Sequence, residues 1–380
     1  MRGYFHQLLI FLGGLALLGL AAGAVRSQPA AQPLPIGVLL ERGAEGDRAT
    51  QLAVQQINAA GGLLGPGGER YELQLVYPRN APTRPEDIPT ALEDLRAQGA
   101  RAILGPGENL LAFPNLEPLA RAGVPVLTLA TADTLTDLDV TNNIMRMQAA
   151  EGFHSRAAAD FLTSTLGTQR IAIVQTEVEA TEAVIAFETA LAERGLAPLV
   201  KLQATDAASL AEQLPQLNAA NPGCHCLLGR APEMLSVLDS QQQVGWRGVF
   251  YYRDAQAAIL SGALPPAQVT GMLGTAGWVY STPNRLSQQF LAQYVAAYGQ
   301  IPGTDAAAAY DAIFTLTGQV RLVGPEMPQL YESLRAVQTL NTVQGQLNPG
   351  GVYQWRFLAP GGGVPGGAPR QPGPAGGLSG

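Results

Sequence analysis

The stretch ILGPGENLLAFPNLEPLARAGVPVLTLATADTLT, residues 103–136, decides the fold class of this chain. It contains two short apolar runs, at 103–104 and 124–129, and each ends abruptly in small, hydroxyl or amide residues. Continuous apolar runs are typical of buried parallel strands, because helices cover both faces of a parallel sheet. We therefore predict two neighbouring strands whose carboxyl ends present hydrogen-bonding groups.

Alternating strand and helix patterns precede this stretch and extend its predicted sheet, and a second series of the same kind follows it. Before it, predicted strands at 36–40 and 71–77 alternate with helices whose apolar residues recur every three or four positions. After residue 170, predicted strands at 171–174, 199–202, 224–228 and 248–252 are again separated by helices, and 272–279 is predicted as a further, crossing strand. This alternation predicts an α/β protein with two doubly wound parallel-sheet units in series.

Composition excludes several classes of function. The 380 residues carry a net charge of -7, and Lys201 is the single lysine among 23 basic residues. Because there is no basic cluster, we do not expect a nucleic-acid partner. The two cysteines, Cys224 and Cys226, are spaced to share one face of a buried strand; a bridge across one residue would be strained, and a metal site lacks further ligands.

The two ends of the chain differ in composition from the rest. Residues 1–24 combine Arg2, an apolar run from Leu8 and a small-x-small site at Ala22 to Ala24, which predicts a secretory signal peptide and a periplasmic or extracellular protein. The run is about 17 residues long, at the lower limit of a membrane span, so an uncleaved anchor at 8–24 remains an alternative. Residues 25–34 are predicted as a linker, and the Pro/Gly-rich segment 359–380 as a disordered tail.

The carboxyl ends of the predicted strands locate a candidate ligand site. Ligands of open α/β sheets bind in the crevice beyond these ends. The tips of the two units offer amides, hydroxyls, backbone groups, one expected anion and one expected cation: Asn109, Ala130 and Thr131 in the first unit, and Arg230, Tyr251 and Asp254 in the second. We expect these groups to suit a small zwitterionic or polar molecule.

Enzyme motifs are not found in the sequence. It has no phosphate-binding G-x-x-x-x-G-K-[ST] loop and no G-x-S-x-G nucleophile turn, and Gly105-Pro106-Gly107 is not a dinucleotide fingerprint. His154 is interpreted as a packing or solvated residue and not as a general base. We therefore predict no enzymatic activity, no cofactor and no metal.

Three segments carry a resemblance to a known family: GDRATQLAVQQINAAGGLLG (46–65), residues 102–136, and LLGRAPEMLSVLDSQQQVGWRG (227–248). They resemble the type I periplasmic binding proteins, in particular the leucine/isoleucine/valine-binding proteins of ABC importers and their amide-binding and sensory relatives. The resemblance implies two lobes joined by three crossovers that close on a ligand like a Venus flytrap. It places lobe I at 34–148 plus 280–338, and lobe II at 149–279 plus 339–358.

The resemblance also implies roles for individual residues. Asn109 stands where the family has a carboxylate-binding serine, and Thr131, with the backbone of Leu129 and Ala130, matches the tip that binds the α-carboxylate and ammonium. Asp254 matches the acid that pairs with the ammonium, and Arg230 is expected to assist with the carboxylate. Two aromatic contacts of the family are replaced by Ala180 and Arg230, and the first loop is shortened to 41–45, so the ligand need not be a branched-chain amino acid.

These features predict an exported, monomeric solute-binding protein that captures a small amino-acid-like or amide ligand and delivers it to an ABC permease. Two alternatives keep the same fold. One is a membrane-anchored sensor that signals to a partner, and the other is a scaffold that binds no ligand. Removal of the first 24 residues, or their retention, distinguishes transport from anchored sensing.

Overall fold

The chain forms two largely parallel sheets, one from the strand–helix series before residue 170 and one from the series after it. The computed structural model describes residues 30–347, with gaps at 178–179, 266, 268 and 338–339. The predicted signal segment at 1–24, the first half of the linker, 25–29, and the predicted tail at 359–380 lie outside the described residues. The strands are β1 Gln32–Val38, β2 Leu63–Leu64, β3 Arg70–Val76, β4 Ala102–Leu104, β5 Val126–Thr128, β6 Ile144–Arg146, β7 Ile171–Gln175, β8 Val200–Gln203, β9 Cys224–Leu228, β10 Val249–Tyr252, β11 Leu340–Thr342 and β12 Gly345–Leu347.

Helices connect the strands, as the periodicity predicted. They are α1 Glu45–Ala59, α2 Ile88–Ala97, α3 Asn109–Ala112, α4 Leu116–Ala120, α5 Thr134–Asp137, α6 Glu151–Asp160, α7 Thr181–Ala192, α8 Ala207–Ala220, α9 Ala231–Gln243, α10 Ala255–Leu260, α11 Arg285–Tyr298, α12 Thr304–Val323 and α13 Gln329–Arg335. The apolar residues that predicted α2, at 88, 91, 92 and 95, are all buried. Local amphipathic patterning therefore set the position of this helix.

Both sheets place their first strand in the middle. The first sheet has the order β2-β3-β1-β4-β5-β6, and the second has the order β10-β9-β7-β8. All pairs are parallel except β2 with β3. The strand order reverses between β1 and β4, and again between β7 and β9. Crevices form beyond the carboxyl ends of strands at such points. The predicted fold class, two doubly wound parallel-sheet units, is confirmed.

Each sheet is covered by apolar residues on both faces. In β4, Leu104 points to the core beneath α1 and α12, whereas Ile103 points to the core beneath α2. In β9, Cys224 and Cys226 share one face with their sulfurs 3.3 Å apart, and Leu227 points to the other face. The prediction that the two cysteines lie on one face of a buried strand is confirmed, because successive side chains of a strand alternate.

Two predicted boundaries are corrected. Strand β1 begins at Gln32, inside the predicted linker, because its parallel pairing with β3 already starts there. The predicted crossing strand at 272–279 does not form: Leu273 makes a single bridge to Tyr251, and the run is broken by glycines that provide no side chain for strand packing.

The chain passes between the two sheets at least twice. After β6 it enters α6, whose Ala158 and Ala159 belong to the second core. Later it returns through α11, whose Phe290 and Tyr294 belong to the first core. The hairpin β11–β12 also contacts the first core through Val343, although the resemblance assigned 339–358 to lobe II. The exact lobe bounds stay predictions; below, "lobe I" and "lobe II" refer to the units built on the first and second sheets.

Candidate ligand-binding cleft

A cavity of about 580 Å³ lies where the carboxyl ends of the two sheets face each other. Its lining comes from both lobes. Lobe I contributes the tips after β4 and β5 and the start of α12, and lobe II contributes the tips after β7, β9 and β10 and the start of α6. The volume falls within the range of ~300–1,000 Å³ that is common for small-molecule sites.

The tips of β4 and β5 bind each other. The Asn109 Oδ1 atom accepts hydrogen bonds from the backbone N–H groups of Thr131, at 2.8 Å, and Ala132, at 2.9 Å. The Asn109 amide nitrogen donates to Thr131 Oγ1 at 3.2 Å, and this hydroxyl donates in turn to Glu151 Oε1 at 2.7 Å. Asn109 opens the short helix α3, but its side chain makes these cross-strand bonds and does not cap the helix.

An ion pair at the start of α6 forms the charged centre of the cleft. Arg253, just after β10, binds Glu151 through two hydrogen bonds, with Nε 3.0 Å from Oε2 and Nη2 2.8 Å from Oε1. The two side chains are only 12% and 8% exposed. Burial alone would raise the pKa of Glu151, but Arg253, helped by the hydrogen bond from Thr131, lowers it below the ordinary value. Glu151 is therefore a carboxylate whose oxygens are already bound.

Three other carboxyl groups of the cleft have a raised pKa. Loss of solvent within the cleft raises the pKa of Asp254 although Arg253 opposes this shift; the side chain is still 49% exposed, and the Arg253 guanidinium stands 3.4 Å from its Oδ1 atom. Burial also raises the pKa of Glu45 and of Asp305, which face each other between α1 and α12. Glu45 accepts from the backbone N–H of Gly303 at 2.8 Å and of Asp305 at 3.2 Å. Asp305 accepts from the amide of Gln148.

His154 lies on the cavity wall but is nearly inaccessible to solvent. It is 3% exposed, and burial, followed by the charge of Arg253, lowers its pKa to about 3. The imidazole is therefore neutral at pH 7 and adds no positive charge to the cleft.

A glycine allows the tip of β9 to approach the tip of the neighbouring strand β7. Gly229 lines the cavity with φ near +141°, and a Cβ atom there would lie 2.2 Å from Thr176 Oγ1. That hydroxyl accepts from the backbone N–H of Arg230 at 2.8 Å. A residue with a side chain would break this contact, so the close junction of β7 and β9 requires glycine at this position.

Four of the predicted site residues line the cavity: Asn109, Leu129, Thr131 and Asp254. Ala130 follows Leu129 but points into the core beside α2, where it is 1% exposed. Whether the four residues bind a ligand stays a prediction.

The structure places the other two predicted residues away from the cavity. The guanidinium of Arg230 binds Glu233, three residues further along the start of α9, and the carbonyl of Thr205. Tyr251 is 2% exposed, stacks on Phe187 at 6.0 Å between ring centroids, and bonds Thr275 at 2.9 Å. A side chain at a strand tip can point to either face of the sheet, which explains why these two lie outside the lining.

Sequence reasoning missed the residues that carry most of the charge in the cleft. Glu45, Glu151 and Asp305 stand in the first turn of α1, α6 and α12, where acids are common because they complement the helix dipole. Their position therefore gave no signal of a site. Arg253 was visible next to Asp254, at the tip of β10, but its partner lies 102 residues away.

Hydrogen bonds also connect the two lobes around the cavity. In lobe I, the backbone N–H and the hydroxyl of Thr134 both donate to Glu182 of α7, at 3.0 and 3.2 Å. At another edge, Thr304 of α12 donates to Gln256 of α10 at 2.9 Å. These contacts hold the lobes together over the site. Within the part of the chain that the structure describes, no group of three or more His, Cys, Asp or Glu could hold a metal ion, and no helix is long and apolar enough to cross a membrane.

Comparison with known proteins agrees with this geometry. A family model described as periplasmic binding protein matches residues 39–353. Among solved structures, an ABC transporter substrate-binding protein from Desulfitobacterium hafniense is similar, with a TM-score of 0.70, 22% identity, and coverage of 83% of this chain and 93% of that chain. No curated protein sequence matches significantly.

Two further similar structures contain different ligands. The branched-chain amino acid transporter substrate-binding protein from Streptococcus pneumoniae, in complex with isoleucine, has a TM-score of 0.70 and 18% identity over 83% of this chain and 92% of that chain. A solute-binding protein of an ABC transporter from R. palustris, in complex with benzoate, has a TM-score of 0.68 and 20% identity over 83% and 89%. At these identities the likeness shows a shared fold.

Proposed function

The chain belongs to the periplasmic binding protein family, and on this premise we propose that it is an extracytoplasmic solute-binding protein that serves an ABC importer. It captures a small polar organic molecule between its two lobes and presents the closed form to the permease. One observation carries this proposal: a cavity of about 580 Å³ lined by the strand tips of both sheets, so that one ligand contacts both lobes.

The lining favours binding over chemistry. The charges of the central ion pair, Arg253 with Glu151, bind each other, and His154 is buried and neutral. A general base has to lie within reach of the proton that it abstracts, and its own pKa has to be near the working pH. The pKa of His154 is about 3, so this histidine does not meet the second condition near pH 7. A bound molecule would instead be fixed by hydrogen bonds and charge and enclosed by the lobes.

Ligand capture predicts stabilisation that depends on ligand concentration. We would expose the purified chain to amino acids, amides, amines and small carboxylates and follow thermal unfolding. A ligand at 100 times its Kd should stabilise the folded state by about 2.7 kcal/mol, which raises the Tm by several degrees. If no member of a broad panel raises the Tm, the protein is a scaffold and the proposal is wrong.

Delivery to a permease requires that the protein be exported. N-terminal sequencing of the exported chain separates the proposal from the anchored-sensor alternative. A mature N-terminus at Val25 would agree with a secreted or periplasmic carrier, whereas an intact Met1 would favour a protein held at the membrane by residues 8–24.

A further inference from the structure

Acidic groups far outnumber basic groups in the lining of the cleft. Among the described lining residues there are six carboxyl groups and one guanidinium, and that guanidinium is paired with Glu151. The acids divide equally between the lobes: Glu45, Glu108 and Asp305 belong to lobe I, and Glu151, Glu177 and Asp254 belong to lobe II. Closing an empty cleft brings these two acidic sets together, which costs electrostatic free energy that a cation would remove.

The donors at the expected carboxylate site, the tip at Thr131 and Ala132, are already occupied. The backbone N–H groups of Thr131 and Ala132 both donate to Asn109 Oδ1, so the side chain of Asn109 fills the place of an incoming carboxylate oxygen. The Thr131 hydroxyl donates to Glu151. A ligand carboxylate would have to displace these bonds and also approach six acidic groups.

The amide of Gln256, another residue of the cavity wall, is engaged on its oxygen side only. Its Oε1 atom now receives the hydroxyl of Thr304, which also reaches the carbonyl of Trp278, while Nε2 has no partner among the described residues. Because Nε2 is buried, it is not offered to a ligand carboxylate.

The lining also indicates which kind of cation fits. None of the described lining residues is Phe, Tyr or Trp. Quaternary ammonium groups are commonly held by aromatic cages, because they have no N–H to donate. A primary ammonium group donates three hydrogen bonds and is suited to carboxylate and amide oxygens.

We propose, on the basis of the solute-binding function above, that the ligand is a small linear aliphatic amine with at least two ammonium groups and no carboxylate. One ammonium group binds the acids of lobe I around Asp305, and another binds the acids of lobe II around Asp254. Binding bridges the lobes and removes the repulsion between their acidic sets. Asp254 thus keeps the ammonium-binding role that the sequence predicted, whereas the carboxylate site is closed by Asn109.

A matched pair of probes tests the charge requirement. 1,4-Diaminobutane and 4-aminobutanoate have the same chain length and differ in one terminal group, an ammonium against a carboxylate. In calorimetric titrations of the full chain, we expect the diamine to bind with a Kd lower than that of the amino acid by a factor of about 100 or more, the effect of one or two charge-assisted contacts. Spermidine, 1,5-diaminopentane, leucine and choline complete the panel, and leucine and choline are expected not to bind.

Variants of the cleft acids locate the binding site. Asp254→Asn and Asp305→Asn should each weaken diamine binding by about tenfold or more, since each removes one charged acceptor. Asp239→Asn is the matched control, because Asp239 is an exposed acid on α9 outside the cavity lining. It causes the same change in net charge and should leave the Kd unchanged, whereas equal weakening in all three variants would reveal an unspecific attraction and overturn the proposal.

The outcomes separate this inference from the function on which it rests. If leucine or 4-aminobutanoate binds and the diamines do not, the protein is a solute-binding protein but the inferred ligand class is wrong. If choline binds as well as the diamines, the hydrogen-bonding requirement is wrong. If no compound of the panel or of the broader screen binds, both the inference and the proposed function fail.

Discussion

At the scale of single residues, the cleft is organised by charges that are already paired within the protein. Arg253 and Glu151 form two hydrogen bonds to each other while nearly buried, and both contact further groups of the site. Removing one partner of a buried pair leaves an uncompensated charge, whereas removing both does not. The pair therefore fixes the shape of the cleft without requiring a ligand.

We expect Arg253→Met to lower the free energy of unfolding by about 3–5 kcal/mol, because it leaves Glu151 buried and ionised. The double variant Glu151→Met/Arg253→Met should be distinctly more stable than Arg253→Met alone. Urea unfolding of Arg253→Met, Glu151→Met and the double variant measures this difference. A double variant no more stable than the Arg253 variant would show that the two charges are not coupled.

His154 makes stability depend on pH with a defined sign. Its folded pKa is lowered to about 3 by burial and by Arg253, although Glu151 opposes the shift, and the ordinary value is 6.5. The unfolded chain therefore binds a proton that the folded chain rejects, and the contribution of neutral His154 to stability is lost as the pH falls from about 6.5 towards 3. His154→Gln should make the free energy of unfolding less dependent on pH in this window, by up to about 1.4 kcal/mol per pH unit. An unchanged slope in urea titrations at pH 7, 6, 5 and 4 would contradict the burial of the neutral imidazole.

At the scale of elements, the position of Asp305 depends on how α12 packs on α1. Small residues cover this contact: Ala49 and Ala53 of α1 are fully buried in the core that also holds Ala306 to Ala309 of α12. Small side chains let two helices approach closely and rigidly. The same contact brings Glu45 against the first turn of α12, where it binds the N–H groups of Gly303 and Asp305.

We expect Ala53→Leu to destabilise lobe I by about 1–3 kcal/mol, because the additional methyl groups have no space in a packed core. The substitution should also weaken ligand binding by displacing Asp305 relative to α1. Ala296→Leu, at an exposed position of α11, is the control and should change stability little. Chemical unfolding together with ligand titration of both variants checks the prediction, which fails if Ala53→Leu is as stable as the control.

At the scale of the whole molecule, ligand affinity includes the free energy of closing the lobes. Glu182 of α7 accepts two hydrogen bonds from Thr134 across the lobes and does not line the cavity. Glu182→Ala should reduce the fraction of closed molecules and so weaken the binding of every ligand by the same factor. Cleft variants such as Asp254→Asn should instead change the ratio of affinities between ligands.

Glu188→Ala is the matched control for the Glu182 variant, because Glu188 lies on the same helix but pairs with Lys201 inside lobe II. We expect this control to leave affinity unchanged, and X-ray scattering should show a more open average shape for the Glu182 variant alone. A change of ligand preference on removal of Glu182 would place this residue in the binding site and contradict its role as a closure contact.

The amino-acid sequence by itself determined the elements of this protein. The α/β alternation, the stripe of α2 and the shared face of Cys224 and Cys226 are visible in local patterns of spacing two or near 3.6. The small polar tips at Asn109 and Thr131 are visible where apolar runs end. Such periodicity belongs to the helix or strand itself and does not depend on distant parts of the chain. The family resemblance, carried by three such segments, is confirmed by the match over residues 39–353.

Only the tertiary structure decided which groups are available to a ligand. It joined Arg253 to Glu151 across 102 residues and Asp305 to Glu45 across 260, pointed Arg230 away from the cleft, and closed the expected carboxylate site with Asn109 Oδ1. A hydrogen bond requires two groups within about 3 Å, and this distance is set by the packing of elements that are remote in sequence. Residue types at strand tips therefore predicted where the cavity between the sheets lies, while the proposed preference for a cation rests on how those residues pair in space.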